Sequence, residues 1–291
     1  MRRDVLAGLA LAAAIAAAAE EPARPLEVKD GVGRTLTLKA PPRRIISLAP
    51  SVTEMLYALG AAGRIVGITD FCPAPPGPAA PGRIGGIVNP DLERILSLKP
   101  DLAVATTSGN YAEDRDRLER LGVPVFTCDT PDVPSVFATL ESLGRLLGIE
   151  ESSGPLAASL RARLEAVERR VAGRPRPRVL FLIWGEPILA PGRDAFITDA
   201  LRRAGADSIS ASSPSRWAEY DLETILVERP EVILTVPDNR SFAAAIGSEP
   251  EWAPVPAVKN GRVHVVGDAI QHPGPAIVDG IEEIARLLHP E

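Results

Sequence analysis

The chain of 291 residues has a net charge of −6 and a hydrophobic fraction of 45%. This length accommodates one large domain or two lobes of ordinary size, and the apolar content is sufficient for real cores. We do not expect a nucleic-acid partner, because a phosphate-binding surface requires a basic patch and none stands out in the sequence.

The first 19 residues have the layout of a cleavable export signal. Arg2 and Arg3 precede an apolar run over residues 5–19, after which small residues lead into Glu20 and Glu21. A basic start, a short apolar core and an A-x-A-like site are typical of secretory signals, whereas a membrane anchor requires about 20 apolar residues. The paired arginines leave Sec and twin-arginine export both open. We expect a mature protein that resides in the periplasm.

Residues 20–41 are predicted to form an N-terminal extension with a small hairpin, because apolar residues alternate on both sides of a glycine-containing turn. Residues 42–132 then alternate strands with helices, which predicts a parallel sheet with helices on both faces. The SVTE string at 51–54 is a capping box that is expected to open the first helix. The Pro- and Gly-rich residues 71–90 are predicted to be a long loop without a regular element.

Residues 133–173 contain no strand pattern and are predicted to be a helical linker, with its second helix running from about 156 to 171. Residues 174–291 return to alternating strands and helices. The predicted fold class is therefore α/β, with two Rossmann-like lobes that each contain a central parallel sheet and are joined by a long rigid α-helix.

One stretch of sequence appears twice. The string DLERILSLKPDLAV at 91–104 returns as DLETILVERPEVIL at 221–234, and each copy predicts a short helix, a proline stop and a buried strand. Each copy also places a glutamate, Glu93 or Glu223, in the first turn of its helix. Two similar lobes with matched surfaces indicate a clamp rather than a single catalytic centre.

The loops after the predicted strands are the expected ligand site, since ligands of parallel α/β sheets bind outside the carboxyl ends of the strands. These loops contain aromatics, glycines, prolines and a few polar groups, a mixture that suits a bulky and partly apolar ligand. No nucleophile elbow, P-loop or dinucleotide fingerprint is present, so an enzyme is not expected. The spacing of Cys72, Cys128 and the three histidines predicts no metal site, while a disulfide between the two cysteines stays open.

The sequence from about 42 to 290 resembles the substrate-binding proteins of ABC importers for cobalamin, ferric siderophores and haem, the class with a rigid helix between two lobes. The resemblance is carried by RIISLAPS at 44–51 with TE at 53–54 and ALG at 58–60, by GITD at 67–70, by residues 89–101 and by PGP at 273–275. It implies capture of a small molecule between the lobes, delivery to a dimeric ABC permease in the inner membrane, and a monomeric protein without a cofactor of its own.

The resemblance also implies that Glu93 and Glu223 dock on the permease, one on each copy of its subunit. A simpler explanation stays open, because a glutamate in a first helical turn also favours the positive end of its own helix. Among the branches of the class, WGEP at 184–187, GR at 192–193 and RW at 216–217 are most similar to the cobalamin-binding branch. Trp217 lies six residues before Glu223, while Ile87 occupies the equivalent place before Glu93.

The predicted ligand is cobalamin or a related corrinoid. A ferric siderophore or haem is the alternative within the class, and a metal-cofactor enzyme subunit on the same scaffold is the alternative from another class. Core packing for the tryptophans and plain hydrogen bonding for the histidine are the simpler explanations that stay open. The predicted ligand-binding residues are Pro50, Ser51, Phe71, Cys72, Gly86, Ile87, Asn110, Trp184, Glu186, Arg193, Arg216, Trp217 and His272.

Overall fold

The computed structural model describes residues 25–73, residue 75 and residues 80–290. They form an α/β protein with two lobes, each built on a parallel sheet, and a pair of packed helices between the lobes. The predicted fold class is confirmed, and the export signal predicted at 1–19 lies outside the described residues. Across the described ranges, none of the helices combines the length and the apolar character that a membrane span requires.

An antiparallel hairpin precedes the first lobe, as the alternating sequence predicts. Its strands are β1 (Leu26–Lys29) and β2 (Thr35–Leu38). In the turn between them, Asp30 accepts hydrogen bonds from the Arg34 guanidinium at 3.0 and 2.7 Å. Arg34 also donates to Glu119 at 2.8 Å, so this arginine ties the hairpin to the first lobe.

The first lobe contains a five-stranded parallel sheet covered by helices. Its elements are β3 (Ile45–Ser47), α1 (Pro50–Ala58), a 3-10 turn (Ala62–Arg64), β4 (Ile65–Ile68), β5 (Gly82–Arg83), α2 (Leu92–Ser97), β6 (Leu102–Thr106), α3 (Ala112–Arg120) and β7 (Val125–Cys128). The spatial order is β5-β4-β3-β6-β7. The central strands β3 and β6 are buried at every residue, which accounts for their continuous apolar sequence.

The prediction that residues 71–90 hold no regular element is wrong, because β5 lies within them. Gly82 and Arg83 pair in parallel with Gly67 and Ile68 at the edge of the sheet. Arg83 also donates to the carbonyl of Thr69 at 2.7 Å. A two-residue strand is too short to produce an alternating pattern, and it forms because its neighbour offers an unpaired edge.

Two helices span the predicted linker, α4 (Val133–Leu147) and α5 (Glu150–Val171). Asp132 caps α4 by accepting from the Ser135 N–H at 2.9 Å, and Gly148 ends it with a left-handed φ of 62°. The predicted start of the second helix is wrong, because α5 includes Pro155 instead of following it. A proline this close to the N-terminus removes one helical hydrogen bond without breaking the helix.

The second lobe contains a four-stranded parallel sheet and a separate two-stranded antiparallel ribbon. Its strands are β8 (Arg178–Leu182), β9 (Ile188–Pro191), β10 (Asp207–Ser208), β11 (Trp217–Tyr220), β12 (Val232–Thr235) and β13 (Val263–Val265). The sheet has the order β10-β8-β12-β13, while β9 and β11 form the ribbon. The helices are α6 (Phe196–Arg203), α7 (Leu222–Glu228), α8 (Arg240–Ile246), α9 (Pro256–Lys259) and α10 (Ile277–Leu288), with 3-10 turns at Pro237–Asn239, Pro250–Trp252 and Asp268–Ile270.

One apolar core runs from the first lobe through the linker helices into the second lobe. A smaller core on each lobe holds the repeated helix against its sheet. The single buried residue of α2 is Ile95 and that of α7 is Ile225, and both are 0% exposed. Each isoleucine stabilises its helix contact by about 1.5–3 kcal/mol through burial. The repeated helices are therefore anchored by the same residue in both lobes.

Candidate functional site

The repeated segment forms the same helix start in both lobes. Asp91 accepts a hydrogen bond from the Arg94 N–H at 2.9 Å, and Asp221 accepts one from the Thr224 N–H at 2.7 Å. Hydrogen bonds from the side chain and the backbone N–H of Thr224 lower the pKa of Asp221. Each cap is followed by α2 or α7, with Glu93 or Glu223 exposed in the first turn. The two glutamates therefore occupy equivalent solvent-facing positions.

An arginine at the start of the first strand of each lobe closes the other end of the repeated helix. Arg44 donates to the carbonyls of Leu98 and Lys99 at 2.5 and 2.9 Å. Arg178 donates to the carbonyl of Glu228 at 3.0 Å and forms an ion pair with its carboxylate. Because the last carbonyls of a helix lack partners within it, these guanidinium groups fix the orientation of both helices.

Asn110 ties three strand ends of the first lobe together. Its amide nitrogen donates to the carbonyls of Leu48 and Ile87, both at 2.9 Å, and its amide oxygen accepts from the Thr106 N–H at 2.8 Å. The side chain predicted to contact the ligand is thus engaged by backbone partners. Asn110 positions the loops after β3, β5 and β6 relative to one another.

Asn239 plays the corresponding part in the second lobe, and the sequence analysis missed it. Its amide nitrogen donates to the carbonyl of Ile183 at 2.7 Å and to the hydroxyl of Thr235 at 3.2 Å. The signal was present in the sequence, since a T-x-x-x-N string follows the repeat at 106–110 and again at 235–239. Both asparagines lie outside regular helices and strands, so helix and strand periodicity gives no indication of them.

Exposed aromatic side chains collect at the carboxyl ends of the strands. Phe71 follows β4, Tyr111 follows β6 and Trp184 follows β8, with exposures of 69%, 56% and 52%. Trp217 begins β11 in the ribbon and is 41% exposed, so neither predicted tryptophan is a core residue. The indole of Trp184 donates to the Glu186 carbonyl at 2.9 Å, which fixes the ring. Exposed aromatic side chains on both lobes suit a ligand with apolar surface.

Each lobe has a cavity beside its asparagine, and the two cavities differ in charge. The first-lobe cavity, of about 220 Å³, is lined by Thr106, Asn110, Tyr111 and Arg115 among others. The second-lobe cavity, of about 520 Å³, is lined by Trp184, Glu186, Asp238, Phe242 and Glu249 among others. Carboxylates are thus the charged groups of the second-lobe cavity, whereas the first-lobe cavity contains an arginine.

The two arginines predicted from the ribbon lie at one end of it, beside Trp217. The Gly192 N–H donates to the Arg216 carbonyl at 2.9 Å, and the Arg193 guanidinium donates to the Ser212 carbonyl at 3.0 Å. A Cβ on Gly192 would lie 1.7 Å from a carbonyl oxygen, so the close approach requires glycine. Arg193 is exposed, while Arg216 is half-buried.

A hydrogen bond between the side chains of His272 and Glu54 joins the two lobes. The Nδ1 atom of His272 lies 3.0 Å from Oε1 of Glu54 on α1, and within the described residues no other hydrogen bond joins residues 42–132 to residues 174–290. The capping-box prediction is wrong, because α1 begins at Pro50 and leaves Glu54 beyond the first turn. Pro50 and Ser51, in the first turn of α1, are buried.

Cys72 is a core residue, so little of its side chain is accessible for the predicted contact with a ligand. It is 5% exposed, and its Sγ lies 3.1 Å from the hydroxyl of Thr69. Cys72 and Cys128 are separate buried thiols, and burial raises the pKa of Cys128. Gly86 and Ile87 are half-buried. They follow β5, which pairs in parallel with β4, so they lie near the same strand ends as Phe71.

The proteins that are similar to this chain are substrate-binding and periplasmic binding proteins. The periplasmic binding protein family matches residues 45–269, which include both sheets and the linker. The chain is 28% identical over 276 residues to the uncharacterized ABC transporter substrate-binding lipoprotein YvrC of Bacillus subtilis, with 92% of this chain and 86% of that protein covered.

Two solved structures are similar in fold and in sequence. The periplasmic vitamin B12 binding protein BtuF of Vibrio cholerae has a TM-score of 0.76 and 26% identity, covering 85% of this chain and 97% of that one. A periplasmic heme binding protein from Pseudomonas aeruginosa has a TM-score of 0.76 and 25% identity, covering 86% of this chain and 94% of that one.

Proposed function

The chain belongs to the periplasmic binding protein family, and we propose that it captures a corrinoid between its lobes and delivers it to an ABC permease. The observation that carries the proposal is the set of exposed aromatics on both lobes, Phe71 and Tyr111 on one side and Trp184 and Trp217 on the other. A large, flat and partly apolar ligand offers the surface that such rings contact.

The charge of the second-lobe cavity favours a corrinoid over haem. Glu186, Asp238 and Glu249 line this cavity, and no Lys or Arg does so among the described residues. A corrin ring bears amide side chains that donate hydrogen bonds to carboxylates, whereas haem bears two propionates that these carboxylates would repel. Haem is the second candidate, supported by the likeness to the Pseudomonas aeruginosa protein.

Thermal unfolding tests the ligand assignment. The mature chain is melted with cobalamin, with haem and with a ferric siderophore, and cobalamin is expected to stabilise it by about 2.7 kcal/mol at a hundredfold excess over the dissociation constant. Trp217→Ala should weaken this effect, while Val227→Ala, which removes an 80% exposed side chain from α7, should leave it unchanged. Stabilisation by haem or the siderophore alone would reassign the ligand.

We further propose that Glu93 and Glu223 dock on two equivalent permease subunits. The support is geometric, since both carboxylates are exposed in the first turn of helices that are capped and oriented by equivalent residues. Matched patches on two lobes suit a partner with twofold symmetry.

Charge reversal at both glutamates tests the docking proposal. The Glu93→Arg and Glu223→Arg double variant should abolish transport while corrinoid affinity and thermal stability stay at the wild-type level. Glu113→Arg is the matched control, because Glu113 is also exposed in the first turn of a helix, α3. Transport by the double variant at the wild-type rate would rule out docking through these residues.

A further inference from the structure

His272 is the histidine best placed to meet a ligand. Its side chain is 42% exposed and lies on the loop after β13, where the two lobes touch. His289 is buried, with Nε2 engaged by the Gly205 carbonyl at 3.2 Å. His264 lies within β13, where burial lowers its pKa. His272 is therefore the histidine that is both accessible and placed at the contact between the lobes.

The contact with Glu54 determines which nitrogen of His272 carries the proton. An ionised carboxylate only accepts hydrogen bonds, so the 3.0 Å contact assigns the proton to Nδ1. In the neutral ring, Nε2 then keeps its lone pair, and within the described residues it has no hydrogen-bond partner. A carboxylate on one imidazole nitrogen is the arrangement typical of histidines that bind metal through the other.

Glu54 also lies close to the loop that carries His272. Glu54 belongs to α1, whose first residues are buried, and Gly274 lies so close that a Cβ there would be 2.8 Å from Glu54 Oε2. The loop following His272 therefore lies against the Glu54 carboxylate. A fixed imidazole loses little conformational entropy when it binds a metal.

The protein does not offer a complete metal site around this histidine. Over the part of the chain that the structure describes, no group of three or more His, Cys, Asp or Glu side chains is placed to hold a metal ion. A single imidazole can nonetheless complete the coordination of a metal that arrives already chelated, because a planar tetrapyrrole leaves its axial positions open.

We infer that Nε2 of His272 coordinates the metal of a bound tetrapyrrole, with Glu54 as the positioning residue. This inference rests on the proposed function and deepens it, because it selects corrinoids whose lower axial position is open, such as cobinamide. The Nε2 lone pair forms the bond to the metal, and a weakly held water ligand leaves. The step involves no change of oxidation state and no proton transfer.

Electron paramagnetic resonance of the protein with cob(II)inamide tests the inference directly. Cobinamide has no nucleotide base, so a nitrogen triplet on the cobalt signal must come from the protein. We expect a triplet with the wild-type chain, a doublet when its histidines carry ¹⁵N, and neither splitting with His272→Gln. The glutamine amide can still donate to Glu54, so the lobe contact is kept, and His264→Gln is the control that should retain the triplet.

Tryptophan fluorescence quenching measures binding separately from coordination. We expect His272→Gln to weaken cobinamide binding about tenfold or more, and Glu54→Gln to weaken it by about 10–100-fold while keeping the triplet. Quenching without any nitrogen splitting would overturn the coordination and leave the corrinoid proposal standing. If haem quenches the fluorescence and cobinamide does not, the corrinoid proposal fails. In that case, a haem absorption spectrum that is the same for His272→Gln and the wild type would overturn coordination as well. Binding of neither probe would overturn both.

Discussion

The two lobes carry the same helix but differ in the residue that precedes it. In the first lobe Ile87 lies six residues before Glu93 and is half-buried, whereas in the second lobe Trp217 lies six residues before Glu223 and is 41% exposed. The cavities of the two lobes differ as well, since an arginine lines the first-lobe cavity and three carboxylates line the second-lobe cavity. The second-lobe cavity therefore offers a more acidic surface to a ligand.

What the lobes share is their internal framework. Arg44 and Arg178 close the repeated helices, and Asn110 and Asn239 tie the strand ends. Recognition of the ligand must therefore come from the residues that are not shared, because the shared ones are engaged with the backbone. This separation of framework from recognition allows each to be tested by itself.

The largest expected effect comes from the asparagines of the framework. Asn239→Ala should lower the free energy of unfolding by about 1–3 kcal/mol, because it leaves buried polar groups without their donor. Asn110→Ala should cost less, since Asn110 is half-buried and water can replace part of its bonding. Urea denaturation measures both, with the exposed Asn260→Ala as a control expected within about 0.5 kcal/mol of wild type. If the asparagine variants lose no more unfolding free energy than Asn260→Ala, the two asparagines do not stabilise the lobes as described.

The lobes also hold the linker by different means. Arg64 of the first lobe donates to the Leu147 carbonyl at 2.6 Å, whereas Asp199 of the second lobe accepts from the Val133 N–H at 3.0 Å and from two arginines. Burial alone would raise the pKa of Asp199, but the hydrogen bonds from Arg203, Val133 and Arg202 outweigh it and lower the pKa. The second-lobe contact is therefore sensitive to acid.

Asp199→Asn should produce a smaller and pH-dependent effect. A carboxyl with a lowered folded pKa adds stability above its unfolded pKa of about 3.9, and that stability is lost as the pH falls through the folded value. The variant should lose about 1–2 kcal/mol at pH 7 and show a shallower decline below about pH 4. Urea denaturation over a pH series checks this against the exposed Asp207→Asn. Parallel curves for Asp199→Asn and wild type would contradict the prediction.

Local patterns in the sequence were sufficient for the alternating elements and for the repeat. Both copies begin with an aspartate cap and end at a proline, and these short-range signals survive in the structure. The ribbon of β9 and β11 was not predicted, since its strands pair across a long connection that no local periodicity records. The short strand β5 was missed because it depends on an edge supplied by β4.

The candidate site was less accessible to sequence reasoning than the fold. The loop positions of Trp184 and Trp217 favour exposed rings, which the structure shows, whereas the loop position of Cys72 gives no sign of its burial in the core. Glu54 was assigned to a capping box, because its spacing from Ser51 suits one. Its actual partner is His272 in the other lobe, a tertiary contact that no local spacing predicts.

Isothermal titration of the mature chain with cobalamin tests the central claim, that the chain captures one corrinoid. We predict saturable binding of one cobalamin per chain with a dissociation constant of about 1 μM or tighter, equivalent to about −8.2 kcal/mol. Absence of binding with cobalamin and cobinamide, together with saturable binding of haem or a ferric siderophore, would contradict it.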